Sequence, residues 1–214
     1  MSIAIMQPYF APYLGYFQLI NEVDTFIFYD DVNFIKGGWI NRNYITINDK
    51  LSRFTIPLKK SSSFKKINET EVNWECKDMT KLIKTFNIVF KKNPISMGIL
   101  NTIFNEKPKT ISDMSIMSIE LFSKELGIKT KFKKSSELNY EKQGDKLLNL
   151  IEICKKEKSN HYINPEGGQN LYKKEDFERY GVKLNFIKGI NTPSIIDIIG
   201  DPDVKNKINN YTII

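Results

Sequence analysis

The sequence predicts an α/β protein: a single domain over residues 1–214, with a mostly parallel, Rossmann-like sheet flanked by helices and a small antiparallel insertion at about residues 42–72. Three observations predict it. Short, largely apolar runs (Ile3 to Ile5, Phe26 to Tyr29, His161 to Ile163, Val182 to Ile187) read as strands, the first two with the composition of strands buried on both faces. Stretches with helical periodicity separate several of these runs. Polar turns carrying glycines, amides or carboxylates follow the strands, at the sheet edge where open α/β proteins hold ligands.

The first strand leads into Met6-Gln7-Pro8-Tyr9-Phe10-Ala11-Pro12-Tyr13-Leu14-Gly15-Tyr16, after which Phe17, Leu19 and Ile20 take up a helical pattern. Pro8 and Pro12 fix φ and stiffen the loop. It reads either as a preformed ligand loop or as a rigid first βα turn with core tyrosines. The second strand ends in Asp30-Asp31. Tyr44 to Ile47 and Arg53 to Leu58 form a hairpin around Asn48-Asp49-Lys50, with Pro57 at a strand end or edge.

Residues 59–68 make a Ser/Lys-rich loop, and 67–72 read as a further short strand. Helices are expected over 74–92, 96–104 and 111–126, the last with Gly127 at its C′ position. A third parallel strand falls at 129–132, a helix at 144–158, and a helical turn at 175–180 closed by Gly181. The strand at 182–187 is the last, followed by a short helix with Ser194 as N-cap and Asp197 in the capping-box position.

Charged residues make up 27% of the chain and the net charge is +7. The lysine excess accompanies abundant Asn and Ile, a bias typical of AT-rich coding. It also suits a phosphorylated ligand, an anionic surface or RNA, without choosing among them. Cys76 and Cys154 stand alone, so neither a disulfide framework nor a paired metal spacing is indicated. There is no basic n-region and no apolar run near membrane-spanning length, which predicts a cytoplasmic protein.

Four polar clusters follow predicted strands or open the last helix, and a parallel sheet is expected to gather them on one rim: Gln7/Tyr9/Tyr13/Tyr16, Asp30/Asp31, Glu166/Gly167/Gly168/Gln169 and Ser194/Asp197. Asp30 and Asp31 are adjacent, so in extended backbone they point opposite ways. One would face the cleft as a base or metal ligand while the other caps the turn, or both are solvated turn formers. Lys36-Gly37-Gly38-Trp39 with Asn41 and Arg42 offers phosphate clamps, a stacking ring and close backbone approach. Its plainer reading is a glycine loop with Trp39 in the core. The Glu166 cluster is no P-loop, since no Gly-Lys-Ser/Thr follows, but its glycines let backbone amides hold an anion. His161, the sole histidine, lies on a strand and reads as structural, which leaves no Ser-His-Asp or Cys-His set. No RNA-recognition signature is present.

With those residues laid out, the chain resembles the bacterial WbqC-like family. The likeness runs through Met6 to Ile20, Tyr29 to Val32, Lys36 to Arg42, Pro57-Leu58, Trp74, Tyr162, Gly167-Gly168, Tyr172 and Ser194 to Asp197. Similar proteins tend to carry an aromatic-rich run before the Ser-Ile-Ile-Asp segment, where Lys188 to Pro193 is short here. Genes of that family sit in surface-polysaccharide clusters. The resemblance therefore implies transfer of an acyl or aminoacyl (for example glycyl) group to the amine of a nucleotide-linked amino sugar. On that expectation Tyr13 and Tyr16 bind phosphate or sugar, Lys36 and Arg42 balance charge, Trp39 stacks, and Asp30 or Asp31 is the base.

Tyr13-Leu14-Gly15-Tyr16 also resembles the His-x-Gly-His motif of HUP-type nucleotidylyltransferases, with tyrosines in place of both histidines. The alternatives are thus nucleotidyl transfer on a phosphosugar with Mg²⁺ at Asp30/Asp31, or a non-catalytic nucleotide-sugar-binding protein. The basic charge would also serve a tRNA-borne aminoacyl donor, although no motif calls for tRNA and no cofactor is required.

Overall fold

A computed structural model describes residues 1–214. The elements run β1 (Ser2–Met6), α1 (Leu14–Glu22), β2 (Thr25–Phe28), β3 (Arg42–Ile47), β4 (Lys50–Thr55), α2 (Lys77–Val89), α3 (Pro94–Glu106), α4 (Ile111–Leu126), β5 (Lys131–Lys134), α5 (Lys146–Lys156), β6 (His161–Pro165), α6 (Lys174–Glu178), β7 (Lys183–Lys188), α7 (Ile195–Ile198), α8 (Val204–Lys207) and β8 (Thr212–Ile213). The main sheet has the order β5-β2-β1-β6-β7-β8, and all its pairings are parallel except β7 with β8. β3 and β4 form a separate antiparallel pair. The fold is α/β, as the strand–helix alternation predicts. No helix is long and apolar enough to cross a membrane.

The period-two alternation of each central strand divides its side chains between two cores. Ala4, Phe26 and Phe28 join α1 to α4, the hairpin and α7 on one side, where Phe17, Phe86 and Phe122 are fully buried. Ile3, Ile5 and Ile27 meet Leu150, Cys154 and Phe177 of α5 and α6 on the other. Successive connections leave β1 toward β2 on one side of the sheet, while β6 lies on the other. The order therefore reverses between β1 and β6, which opens a crevice beyond their carboxyl ends.

Several boundaries differ from the sequence expectation. Residues 67–72 are not a strand. Ile67–Glu69 is a 3₁₀ turn because Glu69 reaches back to the Lys66 N–H and the Thr70 hydroxyl donates to the Lys66 carbonyl, leaving only isolated bridges at Glu71 and Val72. The third parallel strand starts at Lys131, since Gly127 at φ +77° ends α4 and the Thr130 hydroxyl is spent on Ile20 O at 2.7 Å. α3 begins at Pro94 rather than Ser96, with Asn93 Oδ1 capping Ser96 N and proline tolerated in the first turn. The hairpin turn is Asn48-Asp49, both at positive φ, and Lys50 is already in β4. β7 is not the last strand, because residues 212–213 return to pair with it.

Candidate ligand cleft

The loop after β1 is held by side chains from three distant segments. Ala11 sits at φ +47°, an uncommon conformation for a non-glycine residue, and its backbone is gripped from both sides. Its N–H donates to Ser118 Oγ at 3.1 Å, and its carbonyl accepts from Ser194 Oγ and Asn43 Nδ2, each at 2.7 Å. Ile195 N donates to Pro12 O, Leu14 N to Thr192 Oγ1, and Gly15 N to Ile190 O. Tyr16 is buried and donates its hydroxyl to Gln7 O at 3.1 Å, while Tyr9 packs edge-on against it at 5.4 Å. Tyr9 and Tyr16 thus brace the loop. Burial raises the pKa of Tyr13, so it stays a neutral phenol able to donate and accept.

A cavity of about 680 Å³ opens between this loop, the β3–β4 hairpin and residues 191–193. Tyr13, Tyr44 and Trp39 supply ring faces, and Trp39, 58% exposed, lies 5.8 Å from Tyr44 at the mouth. Gln7 and Asn191 present amides with no hydrogen-bond partner in the protein. No charged side chain lines the cavity. Tyr13 and Asn191 also line a smaller adjoining pocket of about 260 Å³, which reaches Glu166 and Gly167 at the end of β6. A depression of about 670 Å³ at the opposite end of the sheet, around Asp24 and Lys129, is polar and lies where the strands begin.

The wall formed by residues 189–193 depends on two residues to which no role attaches in the sequence. Gly189 packs so closely on α1 that a Cβ there would lie 2.9 Å from Gly15 Cα and 2.7 Å from Gln18 Oε1. Gln18 is fully buried, accepts from Ile190 N at 2.7 Å, and donates to the carbonyls of Lys207 and Asn210. Its amide ties the cleft wall and the C-terminal segment to α1.

Asp30 and Asp31 lie elsewhere. The chain bends after β2, so the two carboxylates do not diverge as extended backbone would require: both reach Ser135 Oγ. Its single proton serves one carboxylate at a time, and Asp31 is the closer. Asp30 also accepts from Ser136 N (3.0 Å), Ser136 Oγ (2.8 Å) and Asn68 Nδ2 (3.4 Å). Asp31 accepts from Tyr140 and pairs with Lys142 Nζ at 2.6 Å. Asp31 borders a separate cavity of about 270 Å³ with Lys66, Asn68 and Lys142, which shares no residue with the aromatic cleft. These oxygens are already engaged by side-chain donors and an ammonium group, so the pair does not suit a Mg²⁺ ion, which needs free oxygen ligands.

Burial opposes ionisation of Asp31, but hydrogen bonds from Lys142 and Ser135 and the Lys142 charge outweigh it, holding the carboxyl below its usual 3.8. The unfolded chain then takes up the proton first. Asp31 therefore stabilises the fold above about pH 4 and loses that contribution as pH falls through its depressed value. Asp31→Asn is expected to flatten the acid limb of stability measured by urea unfolding across that range. An unchanged limb would show that the pair is uncoupled from folding.

The other residues singled out by sequence have varied places. Lys36 is exposed. Asn41 is buried and bonds Ile56 O, while Arg42 Nη1 folds back onto Gly37 O at 3.2 Å. Ser194 caps α7 and holds Ala11, as the capping pattern predicts in part. Asp197 does not close a capping box. It reaches across to Thr46 N (2.8 Å) and Oγ1 (3.0 Å), fixing the hairpin, and burial raises its pKa against those bonds. Gly168 packs against Asn164, where a Cβ would fall 2.9 Å from the amide. Tyr172 lies edge-on to Phe177 in the second core. His161 bonds Asn185. Both cysteines are free: Cys76 Sγ caps α2, and burial pushes the Cys154 thiol up to about 12.

The chain thus combines an open α/β sheet with a stiffened loop and an uncharged aromatic cleft beside its switch point. The chain belongs to the WbqC-like protein family, whose model matches residues 7–194. It is 25% identical over 189 residues to the uncharacterized protein Rv1507c of Mycobacterium tuberculosis, covering 86% of this chain and 81% of that relative. No solved structure matches it.

Proposed function

We propose that the cleft binds the sugar of a nucleotide-linked amino sugar and that the protein transfers an acyl or aminoacyl group to its amine in bacterial surface-polysaccharide synthesis. The observation that carries this reading is the lining of the cleft: ring faces and unpartnered amides, with no charge. A sugar ring offers C–H faces to Trp39 and Tyr44 and hydroxyls to Gln7, Asn191 and Tyr13, which can donate and accept as each hydroxyl requires. The amine must be deprotonated to attack an acyl carbonyl; the amide C–N bond forms as the bond from that carbonyl to the oxygen or sulfur of the activated donor breaks, and the donor's carrier leaves with the electron pair. We assign the deprotonation to Glu166, the carboxylate of the adjoining pocket, rather than to the enclosed Asp30 and Asp31. Lys188 Nζ lies 3.5 Å from Glu166 Oε1 at the edge of that pocket. The phosphates lie toward the rim, where Lys36 and Arg42 stand.

The test is a thermal-shift and calorimetric panel of nucleotide sugars, nucleotides and acyl donors. Nucleotide-linked amino sugars are expected to stabilise the protein more than the nucleotides alone. Trp39→Ala is expected to weaken binding by about 1–3 kcal/mol, the value of one stacked ring, with the fold unchanged. Equal stabilisation by nucleotide and nucleotide sugar would remove the sugar from the cleft. Pyrophosphate release from a nucleoside triphosphate would replace acyl transfer with nucleotidyl transfer.

A further inference from the structure

The whole net charge of the protein resides in one surface unit. Residues 32–68 hold eight basic and one acidic residue, a net of +7 that equals the net charge of the full chain, and the remainder is balanced. The same stretch exposes Ile35 (51%), Trp39 (58%), Leu51 (64%) and Phe64 (92%). Its parts are contiguous. An antiparallel bridge joins Asn33 to Lys66, flanked by hydrogen bonds from Phe34 N to Lys65 O and Ile67 N to Val32 O, and it holds the segments that carry Ile35 and Phe64 side by side. Arg42 bonds Gly37, and Trp39 leans on Tyr44, so the ribbon continues into the hairpin at the cleft mouth.

Most of these cations form no ion pair. Only Lys59 and Lys66 pair, with Glu71 and Glu69 at 3.6 and 4.0 Å. Lys36, Arg42, Lys50, Arg53, Lys60 and Lys65 form no ion pair. From this we infer that the 32–68 face docks on an anionic lipid bilayer, inserting Phe64 and Ile35 among the headgroups and presenting the cleft mouth to the membrane surface. Charge complementarity selects an anionic partner. The exposed aliphatic and phenyl groups beside the lysines select a lipid interface, because a nucleic-acid face would use the cations and stacking rings but gain nothing from Ile35 or Leu51. The residues changed to test the inference, Ile35, Lys60, Phe64 and Lys65, lie outside those assigned to the ligand in the cleft.

Full-length protein is mixed with vesicles of phosphatidylcholine alone, or with roughly a third phosphatidylglycerol, and sedimented; bulk tRNA serves as the competing polyanion. Binding is expected on the anionic vesicles only, weakening with salt. Each basic side chain near such a surface contributes about fivefold, so Lys60→Gln with Lys65→Gln lowers partitioning about 25-fold. Ile35→Ser with Phe64→Ser lowers it about tenfold or more through lost apolar burial, with the melting temperature unchanged because both side chains are exposed. No sedimentation at low salt overturns the inference. So does vesicle binding that the serine pair leaves intact. Binding to tRNA without binding to vesicles would make the face a nucleic-acid surface instead.

Discussion

Asp30→Ala is expected to destabilise the protein by about 2 kcal/mol while leaving the aromatic cleft able to bind its ligand. Asp30 is 2% exposed and gathers Ser135, Ser136 and Asn68, so it joins the end of β2 to the start of the 3₁₀ turn after β5 and to the 67–69 turn. Removing the carboxylate leaves the Ser136 N–H, the Ser136 hydroxyl and the Asn68 amide without their acceptor; Ser136 is exposed and Asn68 half-buried, so water offsets part of the roughly 1–3 kcal/mol that each fully buried donor would lose. For a chain of this length that loss corresponds to a fall of roughly 4–8 °C in melting temperature. Urea unfolding gives the stability change, and calorimetry with the best ligand of the panel gives the affinity. A stable variant that has lost turnover would return Asp30 to the chemistry. An unstable variant with normal affinity assigns it to the scaffold.

Gln18→Ala should cost about 3 kcal/mol and also loosen the cleft. The change leaves the carbonyls of Lys207 and Asn210 and the N–H of Ile190 without partners at a fully buried position. The wall that carries Asn191 and Thr192 is then held only by Gly15, Leu14 and the residues around Ser194. Ligand affinity is expected to fall about tenfold, in contrast to Asp30→Ala. Gln18→Glu separates geometry from bulk: it keeps the contact with Ile190 but turns a donor into an acceptor facing two carbonyls. Its carboxyl pKa would be raised in the folded state, so the variant should be most stable at low pH and lose stability as pH rises through that raised value. Normal affinity in both variants would disconnect Gln18 from the cleft.

The elements that the sequence makes legible are those whose signal is local. Ile3-Ala4-Ile5 and Phe26-Ile27-Phe28 read as strands because both of their faces are apolar, and each face does enter a core. α4 is legible to the residue, from the Thr110 side chain that caps Asp113 N to Gly127 beyond its end. The 67–72 segment is not, because a 3₁₀ turn made by Glu69 and Thr70 reaching back to Lys66 has the same β-branched composition as a short strand.

The candidate site divides along the same line. The loop from Gln7 to Tyr16 is legible as a site because two prolines, a glycine and three tyrosines behind a buried strand are a local pattern. Its opposite wall is not, because Asn191 and Tyr44 carry no distinguishing context of their own. They come to the cleft through bonds such as Leu14 N to Thr192 and Ser194 N to Tyr44 O.

Chain order alone therefore established the α/β class, the helix that Gly127 ends, the first two parallel strands and the stiff loop at the end of β1. Each follows from periodicity, φ preference or capping within about a dozen residues. Which loops face one another depended on the strand order that reverses between β1 and β6, and on buried hydrogen bonds between residues more than a hundred positions apart. Those contacts put Trp39 and Tyr44 against the Gln7 loop and turn Asp30 and Asp31 into Ser135. Backbone direction at two adjacent aspartates says nothing of a serine that arrives in the turn after β5.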